Sequence, residues 1–504
     1  MTNTSRETPL QTESSETLDP QNWDEIRAQG HRMLDDMIDY VAGIRDRPVW
    51  RPIPDEVRTR FRAELPRQPC DLAEVYQEFA DHIVPYATGN VHPGFMGWVH
   101  GGGTAVGMLA EMLAAGLNAN LGGRDHIPIE VERQIVEWTR AMFGFPAGAS
   151  GIFVTGTSMA NLMAVLVART TVLGKSVRER GVGEGARLTA YTSTAAHGCI
   201  AQAMDLAGFG SDALRCVEAD RSHRIDVATL RARIASDRNA GLKPFLVVGS
   251  AGTVDIGAID DLQALSSFCR EEGLYFHVDG AYGALGILSP VLAPRLAGLE
   301  HADSIAFDFH KWGQVPYDAG FLIVRDGDRH RQAFAAPAAY LRRETRGLAA
   351  GSFWPCDLGP DLSRGFRALK TWFTLKTYGT EKLGAMITRT CALAGYLEAR
   401  ILAEPRLELL APAQLNIVCF RYRAADANRV NGDIVIDIQE SGIAAPSTTI
   451  LDGQLAIRAA IVNHRTDTCD VDALISAVLE FGAQRTSSGD GLVLNVEGSP
   501  PLAM

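Results

Sequence analysis

The 504-residue chain lacks several features that mark whole classes of protein. No stretch approaches the roughly 18 uninterrupted apolar residues of a membrane-spanning helix, and Glu111 interrupts the apolar segment 106–117. No block rich in lysine or arginine occurs and the net charge of −12 is spread along the chain, so a surface for nucleic acid or anionic membranes is not indicated. The segment 1–22 lacks the apolar run of a signal peptide. We expect a disordered tail there.

Cysteine is also scarce, and no two of the eight cysteines form a close pair. A zinc cluster and a compact disulfide framework are therefore not indicated, and a reducing cytoplasm fits best. Cys199 lies two residues after His197 and could serve as a nucleophile, but small buried thiols are common and we expect a packing role. The cysteines are Cys70, Cys199, Cys216, Cys269, Cys356, Cys391, Cys419 and Cys469.

The residues that are present describe a globular protein, with 46% apolar and 21% charged residues. A chain of this length normally divides into more than one domain. Between about residues 90 and 380, short apolar runs alternate with helical patterns, which predicts an α/β domain with a mostly parallel sheet covered by helices. The predicted strands are 151–154, 188–192, 245–249, 275–279, 304–307 and 320–324.

The two ends of the chain follow other patterns. Between Trp23 and Ile44 apolar residues recur at helical spacing and form one stripe, which needs a partner surface. After residue 380, a helical segment, three strand-like segments and a final helix predict a smaller α+β domain; the strand-like segments are 416–422, 433–438 and 455–462. We predict a tail at 1–21, a helical segment at 22–89, the large domain at 90–380, the small domain at 381–484 and a flexible tail at 485–504.

Two motifs in the large domain pair a lysine with an aspartate. Lys311 stands between apolar Phe309 and Trp312, and burial there is the expected way to lower its pKa from about 10.4 and produce a nucleophilic amine. Asp279 ends the run 275–279, where an ionised carboxylate can hold a pyridinium proton. Alone, such a lysine is usually a surface residue, and such an aspartate is often a turn former or helix cap. Together they indicate pyridoxal phosphate.

A phosphate site would complete this pairing. The segment 151–161 reads as a strand, a small-residue turn and the start of an apolar-periodic helix, and the turn contains Thr157 and Ser158. Free N–H groups and the positive end of the helix dipole bind phosphate dianions. Ligands of such sheets bind where loops leave the strand ends, which is where Ser158, Asp279 and Lys311 fall.

The order of these motifs resembles the pyridoxal-phosphate-dependent amino acid decarboxylases of group II, which include the aromatic L-amino acid, histidine and glutamate enzymes. The resemblance covers roughly residues 22 to 484. Further similar stretches are 27–40, 92–97, 132–138, 196–197, 277–282, 310–312, 366–370 and 459–465. The resemblance implies a fold-type I architecture like that of aspartate aminotransferase, a homodimer that pairs through the 22–89 segment, and decarboxylation of an amino acid to its amine.

Residue roles follow from the same resemblance. His197 is expected to stack on the cofactor ring, and Ala281 to pack against the opposite face. Thr253 matches a hydroxyl close to the cofactor, although its spacing to Asp260 differs from the family pattern. His310 is expected to contribute to phosphate or substrate-carboxylate binding. A packed or surface histidine is the ordinary alternative for either histidine.

Tyr340 lies in a segment that resembles the family's mobile catalytic loop. Its expected role is the general acid that returns a proton to the substrate Cα after carbon dioxide leaves. Relatives that replace this tyrosine tend toward aldehyde-forming chemistry, so its presence favours simple decarboxylation. The rival readings are transamination, aldehyde synthesis or oxidative deamination on the same cofactor, and a non-catalytic homologue.

Three features bear on the substrate and the cofactor. An aromatic L-amino acid is favoured, but Arg124, in the glycine-rich segment 118–126, leaves an acidic or other non-aromatic substrate open. Phe95, Met96 and Trp98 are candidates for either the pocket or the core. Several relatives carry Asn-Pro where this chain has Asp308-Phe309. Asp308 would repel a phosphate that it faced, so it either points elsewhere or is held by a donor.

Overall fold

The computed structural model describes residues 17–183, 187–335, 343–351 and 353–487. The chain divides into two compact units. The first comprises Met1–Asp46 and Ile53–Ala87, and the second comprises Arg47–Pro52 and Thr88–Met504. Among the described helices, none has the length and apolarity required to cross a membrane.

The first unit is helical. It contains α1 (Trp23–Ala42), α2 (Asp55–Arg60) and α3 (Leu72–His82). The side chain of Asn22 caps α1 by accepting the backbone N–H of Asp24. Tyr76 of α3 donates a hydrogen bond of 2.6 Å to Asp36 of α1. No residue of α1 is buried in the single chain, and its apolar side chains Trp23, Ile26 and Ile38 are exposed.

A seven-stranded sheet forms the centre of the second unit, in the order β1-β7-β6-β5-β4-β2-β3. Its strands are β1 (Ser150–Val154), β2 (Leu188–Ser193), β3 (Leu214–Val217), β4 (Lys243–Ser250), β5 (Tyr275–Asp279), β6 (Ser304–Asp308) and β7 (Gly320–Val324). The pairs from β3 through β6 are parallel, whereas β7 runs antiparallel to both β1 and β6. The predicted mostly parallel sheet is confirmed. The short edge strand β3 was not predicted.

Helices cover both faces of this sheet. Along β4, Val247 belongs to one hydrophobic core and Val248 to another, because successive strand residues point to opposite faces. A strand buried on both sides reads as a continuous apolar run, which is why the sequence revealed these strands. The helices are α4 (Ala105–Leu117), α5 (Ile127–Met142), α6 (Thr157–Leu173), α7 (Val177–Arg180), α8 (Cys199–Leu206), α9 (Val227–Asn239), α10 (Leu262–Glu272), α11 (Gly327–Phe334) and α12 (Arg367–Ala403).

The C-terminal part builds a four-stranded antiparallel sheet in the order β10-β11-β9-β8. It consists of β8 (Leu407–Ala411), β9 (Ile417–Tyr422), α13 (Ala427–Ser441), β10 (Ser447–Leu451), β11 (Gln454–Ala460) and α14 (Thr468–Ser487). The smaller α+β domain is thus present, but the predicted strand 433–438 is wrong, since these residues lie in α13. Ile434, Val435 and Ile438 are buried there at helical spacing, which outweighs their β-branched character.

Candidate active site

A cavity of about 360 Å³ opens where the parallel strands end. Loops after β1, β2, β4, β5 and β6 meet there, as expected for an open α/β sheet. The structure brings all eight predicted cofactor-binding residues to this one cavity: Thr157, Ser158, His197, Thr253, Asp279, Ala281, His310 and Lys311. We call the part formed by Thr157, Ser158, Asp279 and Lys311 the strand-end wall.

Asp279 lies at the base of the cavity, at the end of β5. Its Oδ1 accepts the backbone N–H of Ala281 at 3.1 Å, and its Oδ2 accepts the side-chain N–H of Asn161 at 3.1 Å. Burial raises the pKa of Asp279, while the charge of Lys311 and these two donors oppose that rise. The position suits a group that presents a proton to the carboxylate.

A hydrogen-bonded chain supports Asp279 from behind. The Oδ1 of Asn161 is 2.8 Å from Nε2 of His277, and Nδ1 of His277 is 2.8 Å from the Ser304 hydroxyl. Burial lowers the pKa of His277 to about 3, so the ring is neutral and has one donor and one acceptor nitrogen. Because the Asn161 amide N–H faces Asp279, its oxygen must accept from His277. The sequence did not identify Asn161 as a site residue, although it ends the predicted phosphate motif.

Cys199 lies beside this chain, with its Sγ 3.2 Å from Nδ2 of Asn161. Burial raises the pKa of its thiol to about 12, so the sulfur stays protonated near neutral pH. A protonated thiol in such a place is a weak nucleophile, in accord with the packing role expected for it.

The N-terminus of α6 is available for an anion. Gly156 is the N-cap residue, and no side chain caps the helix. Thr157 is buried, and its hydroxyl has no hydrogen-bond partner among the described residues. A buried hydroxyl without a partner and uncapped N–H groups fit a phosphate dianion. With Asp279 and Lys311 across the cavity, the residues present fit pyridoxal phosphate.

Lys311 and Asp308 form a close ion pair. The Nζ of Lys311 is 3.0 Å from Oδ2 of Asp308, and Nε2 of His310 is 3.6 Å from the same oxygen. Asp308 is therefore held by a donor, one of the two outcomes that the sequence left open. Nδ1 of His310 accepts the backbone N–H of Ala319 at 2.9 Å, and burial lowers the pKa of His310 to about 4. His310 is thus neutral near pH 7.

The remaining predicted cofactor residues line the sides of the cavity. His197 is exposed, and its Nδ1 accepts the backbone N–H of Cys199 at 3.1 Å, which restrains the ring. The Thr253 hydroxyl is buried and accepts the backbone N–H of Ala258 at 2.9 Å. Ala281 is half-buried on the loop after β5 and also lines the cavity.

Aromatic side chains form the other side of the cavity, which we call the loop wall: Trp98, His100 and Tyr317. The ring of His100 stacks at 6.2 Å from Trp98 and meets the edge of Tyr317 at 5.7 Å. Phe95 and Met96 lie in the core and do not line the cavity. Of the three pocket candidates, only Trp98 belongs to this wall. His100 and Tyr317 were not predicted.

Residues of the C-terminal part hold the loop wall in place. The amide of Asn463 donates to the backbone oxygens of Asn90, Val91 and His92 at 2.9–3.1 Å. The buried guanidinium of Arg458 donates to the oxygens of Gly97 and Val254, both at 2.7 Å. Arg458 also lines the cavity, a place that the sequence did not reveal, although it directly precedes a stretch similar to the family.

Arg124 and Tyr340 are the two remaining residues that the sequence predicted to be functional. The guanidinium of Arg124 lies over the Trp354 ring at 4.7 Å and is not among the lining residues. Tyr340 falls within 336–342, outside the residues that the structure describes. The segment that follows is fixed by Arg343, which pairs with Asp357 and lies over Trp354.

Comparison with known proteins places these features in a family. Residues 54–423 match the model of the pyridoxal-dependent decarboxylase conserved domain. The chain is 33% identical over 460 residues to an aromatic-L-amino-acid decarboxylase of Bacillus atrophaeus, covering 88% of this chain and 93% of that protein. It is 29% identical to the aromatic-L-amino-acid decarboxylase of Sus scrofa, covering 93% and 99%.

Solved structures share the fold. The crystal structure of a glutamate decarboxylase domain of a diaminobutyrate-pyruvate transaminase and L-2,4-diaminobutyrate decarboxylase from Vibrio parahaemolyticus superposes with a TM-score of 0.83 at 26% identity. The match covers 92% of this chain and 97% of that one. The predicted fold class is confirmed.

Proposed function

The chain belongs to the pyridoxal-dependent decarboxylase family, and we propose that it converts an aromatic L-amino acid into the corresponding amine and carbon dioxide. Pyridoxal phosphate, the cofactor of this carboxy-lyase family, supplies an aldehyde that takes up an amine and a ring that accepts the electron pair left by carbon dioxide. The observation that carries the proposal is the meeting of an uncapped helix N-terminus, a buried carboxylate and a lysine in one cavity.

Cofactor binding is assigned mainly to the strand-end wall. The backbone N–H groups at the start of α6, with the hydroxyls of Thr157 and Ser158, hold the phosphate. Asp279 holds the proton of the ring nitrogen, and Asn161 keeps the carboxylate aimed at it through the bond at 3.1 Å. His277, neutral by burial, fixes the Asn161 amide and adds no charge of its own.

The sides of the cavity orient the ring and exclude water. His197 would stack on one face of the ring, and Ala281, whose small side chain leaves a flat slot, would pack on the other. Thr253 lies near the ring with its hydroxyl already accepting a backbone N–H, so we assign it a shaping role. His310, neutral and fixed by Ala319, donates from Nε2 toward anionic groups in the cavity.

The reaction requires two residues that act on protons or amines. Lys311 would hold pyridoxal phosphate through its side-chain amine, at the aldehyde that the cofactor offers to the amine of the substrate. The walls of the cavity would orient the bound substrate, and that orientation would favour loss of carbon dioxide over transamination. Tyr340 returns a proton to the substrate Cα. This last role rests on the family resemblance of its loop.

The aromatic substrate is supported by the loop wall. Trp98, His100 and Tyr317 present ring surfaces to the cavity, and aromatic side chains bind well against such surfaces. The acidic alternative depended on Arg124, which stacks on Trp354 and is not a lining residue. Both curated relatives compared above carry names that specify aromatic substrates.

We also propose a homodimer that pairs through the helical segment 22–89. The support is α1, whose apolar side chains Trp23, Ile26 and Ile38 all remain exposed in the single chain. The second unit would then consist of the cofactor domain, 90–380, and the small domain, 381–484. A cytoplasmic location is supported by the eight cysteines, none of which forms a disulfide bond among the described residues.

The test is an absorbance spectrum of the purified protein with added pyridoxal phosphate, followed by incubation with each of the twenty amino acids and mass spectrometry of the products. We expect a visible-edge band from cofactor bonded to Lys311 and one aromatic amine. A keto acid or an aldehyde as the main product would contradict the proposed reaction. An amine from glutamate or aspartate alone would contradict the aromatic substrate.

A further inference from the structure

Asp308 combines deep burial with direct contact to the reactive lysine. Its side chain is 2% exposed, and Oδ2 lies 3.0 Å from Nζ of Lys311. Its other oxygen, Oδ1, has no hydrogen-bond partner among the described residues. Taking a carboxylate out of water is costly unless a nearby cation and hydrogen bonds compensate. The role of Asp308 therefore depends on which neighbouring group supplies the compensating positive charge.

The other titratable groups near Asp308 are neutral, so Lys311 is the group that supplies this positive charge. Burial lowers the pKa of His310 to about 4 and also lowers that of His100, so neither ring is charged near pH 7. Cys199 is a protonated thiol, its pKa raised to about 12. Burial raises the pKa of Tyr317, which stays neutral. Among the described residues, Lys311 is then the cation in contact with Asp308, and Asp279 is the other carboxylate that Lys311 influences.

We propose that Asp308 is a positioning residue of the reaction, whose carboxylate would keep the Lys311 nitrogen protonated when that nitrogen is bonded to the aldehyde carbon of the cofactor. The inference rests on the proposed function, because it assigns Asp308 to the lysine that carries the cofactor. A protonated nitrogen makes the attached carbon more open to attack by the substrate amine. A negative charge at 3.0 Å favours that proton, because Asp308 is buried and water screens its charge little.

The contact also fixes where Lys311 points. Asp308 ends β6, and its backbone N–H donates to the oxygen of Ala281 at 2.9 Å. The ion pair therefore ties the flexible lysine side chain to the end of a central strand. When the substrate amine displaces Lys311, the same contact with Asp308 keeps the released side chain inside the cavity.

The experiment is a pH titration of the visible absorbance of the holoenzyme, which reports the proton on the Lys311 nitrogen without any substrate. For Asp308→Asn, which has nearly the same shape and no charge, we expect the midpoint to fall by at least about one pH unit, tenfold in proton affinity. Asp308→Ser is the second neutral variant, and it gives the same result should the amide variant fail to fold. Asp308→Glu keeps the charge and is expected to restore most of the shift.

The matched control is Asp318→Asn. Asp318 lies on the same loop between β6 and β7, and its partner is Arg367 at 2.9 Å. Removing its charge is expected to move the midpoint by less than about 0.3 pH unit, since Arg367 already compensates that charge and Asp318 is half-exposed to water. Equal midpoints in the wild type and both neutral Asp308 variants, or a rise, overturn the inference alone. The lack of a cofactor band in the wild type overturns the proposed function and the inference with it.

Discussion

The strand-end wall and the loop wall differ in where their residues come from. Thr157, Asp279 and Lys311 each follow a strand of one central sheet, and β1, β5 and β6 fix their positions. Trp98 and Tyr317 stand on loops, and the Trp98 loop is held by the distant Arg458 and Asn463. Groups on a rigid sheet suit chemistry that tolerates little misplacement, whereas loops suit a surface that varies with the substrate. We therefore expect damage to the first wall to lower kcat and damage to the second to raise KM.

The largest effect is expected from Tyr340→Phe. Loss of a general acid lowers kcat by about 100- to 10,000-fold. Cofactor binding should be unchanged, because the strand-end wall is intact. The measurement is amine and aldehyde formation by mass spectrometry. A variant with wild-type kcat would remove Tyr340 from the mechanism.

Asp279→Asn tests the strand-end wall directly. An amide cannot hold the ring proton as a carboxylate does, so we expect kcat to fall by about 100- to 1,000-fold, the usual cost of losing a preorganised electrostatic group. KM should change little, since the loop wall is untouched. Steady-state kinetics separate the two constants, and a change confined to KM would contradict this assignment.

Asn161→Leu removes one donor from Asp279 while preserving volume. We expect activity to fall by about 10- to 100-fold, the range seen when a group that orients a catalytic residue is lost. The matched control is Met163→Leu, which changes a fully buried apolar side chain of the same helix and leaves the hydrogen bond from the Asn161 amide to Asp279 in place. If both variants lost the same activity, packing rather than the Asn161 hydrogen bond would be the cause.

Trp98→Ala tests the loop wall. Trp98 presents a ring to the cavity and takes no part in the chemistry. We therefore expect KM for the aromatic substrate to rise about tenfold, a change in binding free energy close to that of one contact between aromatic rings. The kcat value should stay within about twofold, as expected for lost uniform binding. A large fall in kcat with unchanged KM would contradict the expectation that the loop wall acts on substrate binding and the strand-end wall on the reaction.

The smallest effect concerns pH and stability. The folded pKa of His277, about 3, lies below the usual value of about 6.5, so the unfolded chain binds more protons between these values. Stability therefore falls on acidification through this window, and His277 contributes about 2 kcal/mol of the loss between pH 7 and pH 5. His277→Gln should reduce the difference between chemical unfolding free energies at these two pH values. An unchanged difference would contradict the neutral state of His277.

The sequence predicted the strand-end wall far better than the loop wall. Asp279 and Lys311 lie at the ends of continuous apolar runs, so a local pattern shows both the strand and its end. The loop wall joins Trp98 to Tyr317, which is more than 200 residues away in the chain. No local pattern encodes such a meeting, and Phe95 is likewise buried by residues distant in the chain, Val49 and Ala445.

The errors in the fold have similar causes. The strand 433–438 was predicted from β-branched residues that pack at helical spacing in α13. The strand β10 was missed although Asp452-Gly453 follows it, and both residues adopt the positive φ angles of a tight hairpin turn. That turn joins β10 to β11, and the Asp-Gly pair in the sequence could have predicted the hairpin.

The central claim is that Lys311 in this cavity carries the decarboxylation. The most direct test measures release of labelled carbon dioxide from carboxyl-labelled aromatic L-amino acids by the wild-type protein and by Lys311→Ala, each with added pyridoxal phosphate. We predict release by the wild type, and loss of release in the variant although it remains folded. Equal release by both proteins would contradict the account.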